Sequence, residues 1–467
     1  MNPIAYDYHV ILPRADQPQI LLLQDANGGW SLPHFELQGH HESSEVSQVN
    51  ERIRDLLGIS VTTLRCLYFN YEPLSSRVSA LFLLESLAHD WLPPSGACWA
   101  GREELTSLKL SGPGQRIFLE SWLAEKEAGS IPPGRVPWAR EGWFEEAAGW
   151  IKKELAGKGL ALAGPIEQRR NWFRSSILRA RTSGPDLYFK AGPPQVFGCE
   201  AALTSRLAQK YPAKLPRLLA VEAARNWLLM EDFGKVTLSE IKDAARWAEA
   251  LRGYALIQIE QIEEVDQLLA LGCPDLRLAV MEASVDELLA DPLLPLTGRQ
   301  WSRLSELELA ELRGLIPSLK RMCARLKSYG LPETLDHGDL HDRNIIVTER
   351  DCLYFDWSDA CLTHPFFGLS IFFRFQEFEN FLPDVPRVRE RLRDAFLSPW
   401  TSFGPMRSLV EAYELAYSLA PLHHALLYQR VILPKLEQAA RWETDNMLPF
   451  WLRTLLKQKA EILRAGA

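Results

Sequence analysis

The stretch HGDLHDRNIIVTERDCLYFDW, residues 337–357, sets two carboxylates and an amide, Asp339, Asn344 and Asp356, around short apolar runs. Taken singly, Asp and Asn in short loops are most often turn residues that bond their own backbone. Taken together they permit more. If IIV and CLYF pair as a hairpin, Asn344 and Asp356 return to the same end of it and can share a hard cation through oxygen ligands. Asp339 then stands nearby as a carboxylate able to act as a base. Two metal-holding oxygens beside one base suit phosphoryl transfer, in which an enzyme mainly positions groups and neutralises charge.

The elements on either side must hold these groups in place. Upstream, residues 301–329 carry Leu304, Leu307, Leu312, Leu315, Leu319, Met322, Leu326 and Tyr329 at helical spacing, with Pro317 expected to kink the helix. Further back, SSILRARTS and DLYFKA flank Gly184-Pro185-Asp186 and read as a hairpin. GCEAALTSRLAQKY reads as a helix and NWLLMED as a short strand, after which the chain turns mostly helical. WFEEAAGWIKKELAGKG predicts a helix just after AGSIPPGRVPW, residues 128–138, whose glycines and prolines mark a linker. Before that linker, YDYHVILP, QILLLQ, TLRCLYFNY and SALFLLES read as strands. Between them SSEVSQVNERIRDLLG reads as a helix capped by Ser44, with Val46, Val49, Ile53, Leu56 and Leu57 on one face and Gly58 at its end. The expected fold class is α+β in two domains, residues 1–127 and 137–467. The second has a small β-rich lobe over about 137–235 and a helical lobe over about 236–467.

Composition narrows the partners. With 467 residues, a formal net charge of -8 and a pI near 5.8, a broad nucleic-acid surface is not expected, although a local basic cleft for phosphates is compatible. The seven cysteines form no CxxC pair, which predicts reduced thiols and no structural zinc. No apolar run reaches the ~18 residues of a membrane span, and MNPIAYDYHVILP lacks the features of a signal peptide, so a cytoplasmic protein without membrane contact is expected.

HGDLHDRN followed by YFDW resembles the aminoglycoside phosphotransferase-like group of the protein-kinase-like fold, whose motif is HGDxHxxN, an apolar stretch and a D[WFH] pair. The resemblance covers about residues 137–467. It implies that Asp339 is the catalytic base, that Asn344 and Asp356 bind Mg2+, and that ATP, or GTP, donates the phosphoryl group to a small molecule. It also implies that Lys190 in LYFKA reaches the phosphates, steadied by Glu200, and that NWLLMEDFG, with Met230, Glu231 and Asp232, forms the strand facing the adenine. Read alone, Lys190 is equally a solvated strand-end charge and Glu200 an exposed helix residue. TSGPD lacks a three-glycine nucleotide loop, a departure from protein kinases but not from this group. His364, His423 and His424 read as packing residues, the pair with a possible role in a substrate pocket. The acceptor and the oligomeric state stay open. An alternative is a non-catalytic nucleotide-binding scaffold.

GGWSLPHFELQGHHESSEVSQVNERIRDLLGIS, residues 28–60, resembles a Nudix domain, an α/β fold. GGWSLPHFE keeps the opening of the family's pattern, Gly58-Ile59 its end, and CWAGREEL, residues 98–105, its late WxxxEEL segment. At the positions of the REUxEE box stand Glu51, Arg52, Ile53, Arg54, Asp55 and Leu56, so one expected acid of three survives. Arg52 would repel the magnesium that the box chemistry needs. The resemblance therefore implies a retained fold with a lost hydrolase. Its alternatives are an active diphosphate hydrolase and a generic α/β domain.

Overall fold

The computed structural model describes residues 4–466 apart from 26–27, 39–40, 73–74, 89, 111–114, 350, 375–377, 379–381 and 383–384. They form two compact units, residues 1–193 with 436–440, and residues 194–435 with 441–467. The Gly/Pro-rich connection 128–138 lies inside the first unit.

In the first unit, β1 (Ala5–Ile11), β4 (His34–Gln38), β5 (Val61–Glu72) and β6 (Arg77–Ser86) form a sheet of order β4-β1-β6-β5. The central β1–β6 pair is parallel and the flanking pairs are antiparallel. β2 (Ile20–Gln24), β3 (Trp30–Ser31) and β7 (Ala97–Ala100) make a smaller sheet, β3-β2-β7. The near-continuous apolar run of β6 follows from burial on both faces. Val78, Ala80, Phe82 and Leu84 pack with Val49, Ile53 and Leu57 of the helix Ser47–Leu57. Leu81 and Leu83 pack with Leu119, Trp122 and Leu123 of the helix Arg116–Ala128. Each such side chain taken from water stabilises the sheet by roughly 1.5–3 kcal/mol.

The four strands and the helix expected before the linker are present, with two corrections to the helix. Ser44 does not cap it: the cap position is Val46, and no side chain bonds there. The backbone of 44–46 is instead committed to β8 (Glu167–Asn171): Asn171 N donates to Ser44 O at 2.8 Å and Val46 N to Arg169 O at 3.2 Å. Leu56 is 47% exposed rather than in the core, whereas Gly58 ends the helix at φ 71° as expected.

β8, which the sequence did not announce, pairs antiparallel with β9 (Ser176–Ala180), and β9 with β10 (Leu187–Ala191), the hairpin expected around Gly184-Pro185-Asp186. Gln168 ties β8 to β5: its Oε1 accepts from Thr63 N at 2.8 Å and its Nε2 donates to Thr63 O at 2.9 Å. The connection 128–138 is fixed by Arg135. Its guanidinium makes two 2.8 Å bonds to Glu125 and also pairs with Glu437, which Arg65 reaches at 3.2 Å.

In the second unit, β11 (Leu218–Glu222) and β12 (Trp227–Glu231) form an antiparallel hairpin, followed mostly by helices. The helix expected over 301–329 runs Glu306–Ser328 and contains Pro317. It starts later because Ser305 and Glu308 form a reciprocal cap. Leu304 thus precedes the helix, and Leu307 is 72% exposed; Leu309, Leu312, Leu315, Leu319, Met322 and Leu326 make the buried stripe. His364, His423 and His424 are fully or almost fully buried. His423 stacks on Phe367 and His424 on Trp451, and burial pushes all three imidazoles down, so they stay neutral. All seven cysteines are free, and no helix among the described residues is long and apolar enough to cross a membrane.

Candidate active site

The hairpin inferred from IIV and CLYF exists. β14 (Ile345–Val347) pairs antiparallel with β15 (Cys352–Tyr354), in register Ile345↔Tyr354. The register continues one step further, because Phe355 N donates to Asn344 O at 3.2 Å. Asn344 and Asp356 therefore stand at the same end of the hairpin. Asn344 Nδ2 donates to the backbone carbonyl of Asp339 at 3.0 Å, which fixes that loop residue against the hairpin and turns Oδ1 the other way. That oxygen has no hydrogen-bond partner among the described residues. Asp356 adopts a left-handed backbone, φ 65° and ψ 61°, and its Oδ1 accepts from the Ser358 hydroxyl at 2.9 Å. A non-glycine residue held there is strained and persists only where its surroundings over-determine it. The Asp339 side chain is 42% exposed, with His341 Nε2 3.9 Å from its carboxylate.

Magnesium accepts few protein oxygens and fills its octahedron with water and phosphate oxygens. Asn344 Oδ1 and the Asp356 carboxylate fit that share. No larger group of metal-ligating side chains gathers among the described residues.

Behind the loop sits a carboxylate that sequence reasoning missed. Asp336 ends β13 (Thr334–Asp336), which pairs with β16 (Cys361–Thr363), and it is fully buried. It accepts from Gly338 N at 2.7 Å, Gly368 N at 3.2 Å, and Tyr254 OH and Gln258 Nε2, each at 3.3 Å. Burial pushes its carboxyl up to about 6, against the pull of these donors. Gly338, at φ 76°, also has the carbonyl of Asp359 where a Cβ would go, so only glycine fits there. His337 donates Nε2–H to Phe355 O at 2.9 Å, and burial lowers its imidazole to about 4. The histidine of the motif is thus a neutral tie between loop and hairpin. Thr334 and Asp336 gave no signal in the sequence beyond their adjacency to the motif, and His337 was visible only as its first residue, with no role attached.

The remaining expected site residues are placed as follows. In the first unit, Lys190 lies on β10 opposite Ile177 and is 8% exposed. In the second, Glu200 opens the helix Glu200–Lys210 and is 2% exposed. Neither is the solvated residue that it resembles in isolation. The start of that helix is anchored by Asn226, also missed: its Oδ1 accepts from Ala201 N at 2.8 Å and its Nδ2 donates to Phe197 O at 2.9 Å. Met230 is buried on β12, Glu231 pairs with Arg217 at 3.0 Å, and Asp232 accepts from Gly234 N at 3.0 Å as a turn residue. The side chains of Glu231 and Asp232 are thus engaged locally.

Residues 177–408 match the phosphotransferase enzyme family. This segment contains Lys190, Glu200, the β12 strand, Asp339, Asn344 and Asp356, and it makes the chain an enzyme of the small-molecule kinase class. Similar solved structures include a choline/ethanolamine kinase family protein from Mesorhizobium loti, with 16% identity, a TM-score of 0.43, and 69% of this chain and 98% of that chain covered. An ethanolamine kinase from Plasmodium vivax has 12% identity, a TM-score of 0.47, and coverage of 75% and 96%. A macrolide 2'-phosphotransferase from Brachybacterium faecium has 14% identity, a TM-score of 0.43, and coverage of 65% and 98%. No curated protein matches the chain in sequence.

Proposed function

We propose that the protein transfers the γ-phosphoryl group of ATP, or GTP, to a hydroxyl of a small molecule. Asp339 accepts or orients the hydroxyl proton. Asn344 and Asp356 would hold magnesium, which would supply positive charge to offset that of the phosphates. Lys190, steadied by Glu200, clamps the phosphates, and the backbone of 230–232 faces the adenine. The observation that carries this reading is the junction of loop and hairpin. Asn344 bonds both the Asp339 carbonyl and Phe355 N, so one residue ties the backbone of Asp339 to the hairpin that leads to Asp356. Positioning of this kind is the main protein contribution to phosphoryl transfer.

The kinase part is read as residues 137–467 and the part before the linker, 1–127, as a degenerate Nudix-like domain that packs or senses a ligand without hydrolysing it. The mixed sheet with a helix on each face is compatible with that reading, and the exposed Arg52 and Leu56 at box positions support loss of the hydrolase. An intracellular enzyme acting on a metabolite or an antibiotic suits the free cysteines. The test is a screen of hydroxylated metabolites and antibiotics for ATP- and GTP-dependent phosphorylation with magnesium. Thermal stabilisation by millimolar nucleotide is expected as well. A chain that neither binds nor consumes either nucleotide overturns the proposal.

A further inference from the structure

The first unit holds a cavity of about 530 Å3 whose lining includes none of the residues assigned to phosphoryl transfer. Its walls are one face of the helix Ser47–Leu57, the helix Trp143–Gly157, β8 and the turn that precedes it. Val61, Leu87, Phe144 and Ile166 supply half-buried or buried apolar surface. The charged residues around it are Arg54, Lys152, Arg169 and Arg181 against Glu51 and Glu167. Glu167 is committed: it pairs with Arg181 at 2.8 Å and lies 3.9 Å from Arg169. The Arg181 guanidinium in turn lies over Gly164, where an added Cβ would come within 3.2 Å of Nη2. The side chains of Arg54 and Lys152 have no ion-pair or hydrogen-bond partner among the described residues. The positive excess at this cleft is therefore local, in a chain whose formal net charge is -8.

Two further features make this a built site and not a surface dimple. The floor is rigid, because Gln168 is bonded to Thr63 N and O and also accepts from Asn50 Nδ2 at 3.0 Å. The cavity face of the helix, Ser47, Asn50, Glu51 and Arg54, is also distinct from the face of Arg52, Asp55 and Leu56. Of the box positions only Glu51 and Arg54 line the cleft, whereas Arg52, Asp55 and Leu56 do not.

We infer that this cleft binds a small organic anion, an aromatic or apolar body bearing a phosphate ester. The apolar wall takes the body, and Arg54 and Lys152 reach the phosphate. An apolar pocket with a few convergent charges is the usual form of a small-molecule site, and a phosphate is the group that two unpaired cations on one rim favour. The site faces β8, the strand that runs beside β9 and so stands second from β10, which carries Lys190. Its occupant would act on the enzyme as an effector, not as a substrate.

The experiment titrates the full chain with 1-naphthyl phosphate and with neutral 1-naphthol, following naphthyl fluorescence. The phosphate should bind at least tenfold more tightly, and the preference should weaken with added salt. Arg54→Glu combined with Lys152→Glu should lower phosphate affinity at least tenfold and leave naphthol within twofold. Ala148→Trp, which fills the cavity without changing charge, should weaken both ligands. Arg52→Glu, a single charge reversal of the same kind at a position that does not line the cavity, should alter neither by more than twofold. Lys190→Ala should leave naphthyl phosphate binding intact, which separates this cleft from the nucleotide site. Melting temperatures of all variants identify any that fail to fold. Equal affinity for the two probes, no binding at millimolar concentration, or equal loss in Arg52→Glu and the double variant would overturn the inference.

Discussion

The loop 336–344 and the helix Ser47–Leu57 both display carboxylates in a recognisable spacing, yet their surroundings differ in kind. In the loop Asp336, His337 and Asn344 are tied into the surrounding structure. Asp336 accepts four hydrogen bonds, His337 reaches Phe355, and Asn344 reaches Asp339 and Phe355. On the helix, Glu51, Arg52, Arg54 and Asp55 are all exposed, and no side chain caps the N-terminus. Chemistry requires groups held in place before the reaction, and buried hydrogen bonds are what hold them. A motif without a supporting shell is only a pattern of residue types. That contrast separates the loop proposed as active from the box proposed as inactive more firmly than counting acids does.

The strongest way to break the comparison is to remove the base. Asp339→Ala should lower phosphoryl transfer by about 10²–10⁴-fold, the usual contribution of general base catalysis. It should leave nucleotide binding near the parent value, since the role proposed for Asp339 is toward the acceptor. The readout is acceptor-dependent ADP release alongside nucleotide-induced thermal stabilisation. Turnover equal to that of the parent protein would remove Asp339 from the mechanism. Asp356→Ala should differ by losing both turnover and the magnesium-dependent part of the thermal shift.

The next effect is on stability. Asp336→Ala removes the acceptor of buried donors from Gly338, Gly368 and Tyr254 and one of the acceptors of Gln258, and should cost on the order of 3–5 kcal/mol. Asp336→Asn tests charge separately. The folded carboxyl titrates near 6, raised by burial, whereas an unfolded aspartate titrates near ~3.9. Between these values the folded state holds a proton that the unfolded state has released. This group's contribution therefore favours folding below about 4 and is lost as pH rises through 6. Urea midpoints at pH 4.5 and 7.5 should show less loss with rising pH in Asp336→Asn than in the parent. Identical slopes would mean that Asp336 is already ionised throughout.

A smaller loss is expected at Asn226. Asn226→Ala removes the acceptor for Ala201 N and the donor to Phe197 O, both buried, at about 1–3 kcal/mol. Because these bonds fix the start of the helix that Glu200 opens, the Michaelis constant for nucleotide should also rise. A fall in melting temperature with unchanged nucleotide kinetics would confine Asn226 to a structural role.

These positions mark the limit of what the sequence discloses. The common end of the hairpin shared by Asn344 and Asp356 was legible because the register is set locally by β14 and β15. The apolar runs of β1, β2, β5 and β6 were legible because strand composition is itself local. Asp336 and Asn226 were not, because their partners lie far along the chain, at Gly368 and Phe197 among others. β8 was not because EQRRN has no strand-like composition; it is a strand only because its neighbours supply the ladder, against Ser44 and Val46 on one side and β9 on the other. The same tertiary pairing took the expected cap away from Ser44. Tertiary demand outweighed local preference in each case.

The smallest effect belongs to the helix that lacks a supporting shell. Asp55 lies in its last turn, where the aligned peptide dipoles place partial negative charge. An acid there is mildly unfavourable, and alanine is the better helix former. Asp55→Ala in the full chain should therefore raise stability slightly, by about 0.3–1 kcal/mol, and more at low salt. A working magnesium site would give the opposite sign in the presence of the metal, because removing a ligand forfeits the stabilisation that bound ion confers. The discriminating measurement is the melting temperature of both proteins with and without millimolar magnesium or manganese, beside an assay with nucleoside-diphosphate compounds. The expected result is a small, metal-independent rise and no diphosphate cleavage in either protein. Cleavage by the parent that Asp55→Ala abolishes would show that the exposed carboxylate of this helix does hold a metal, and that the contrast with the loop is wrong.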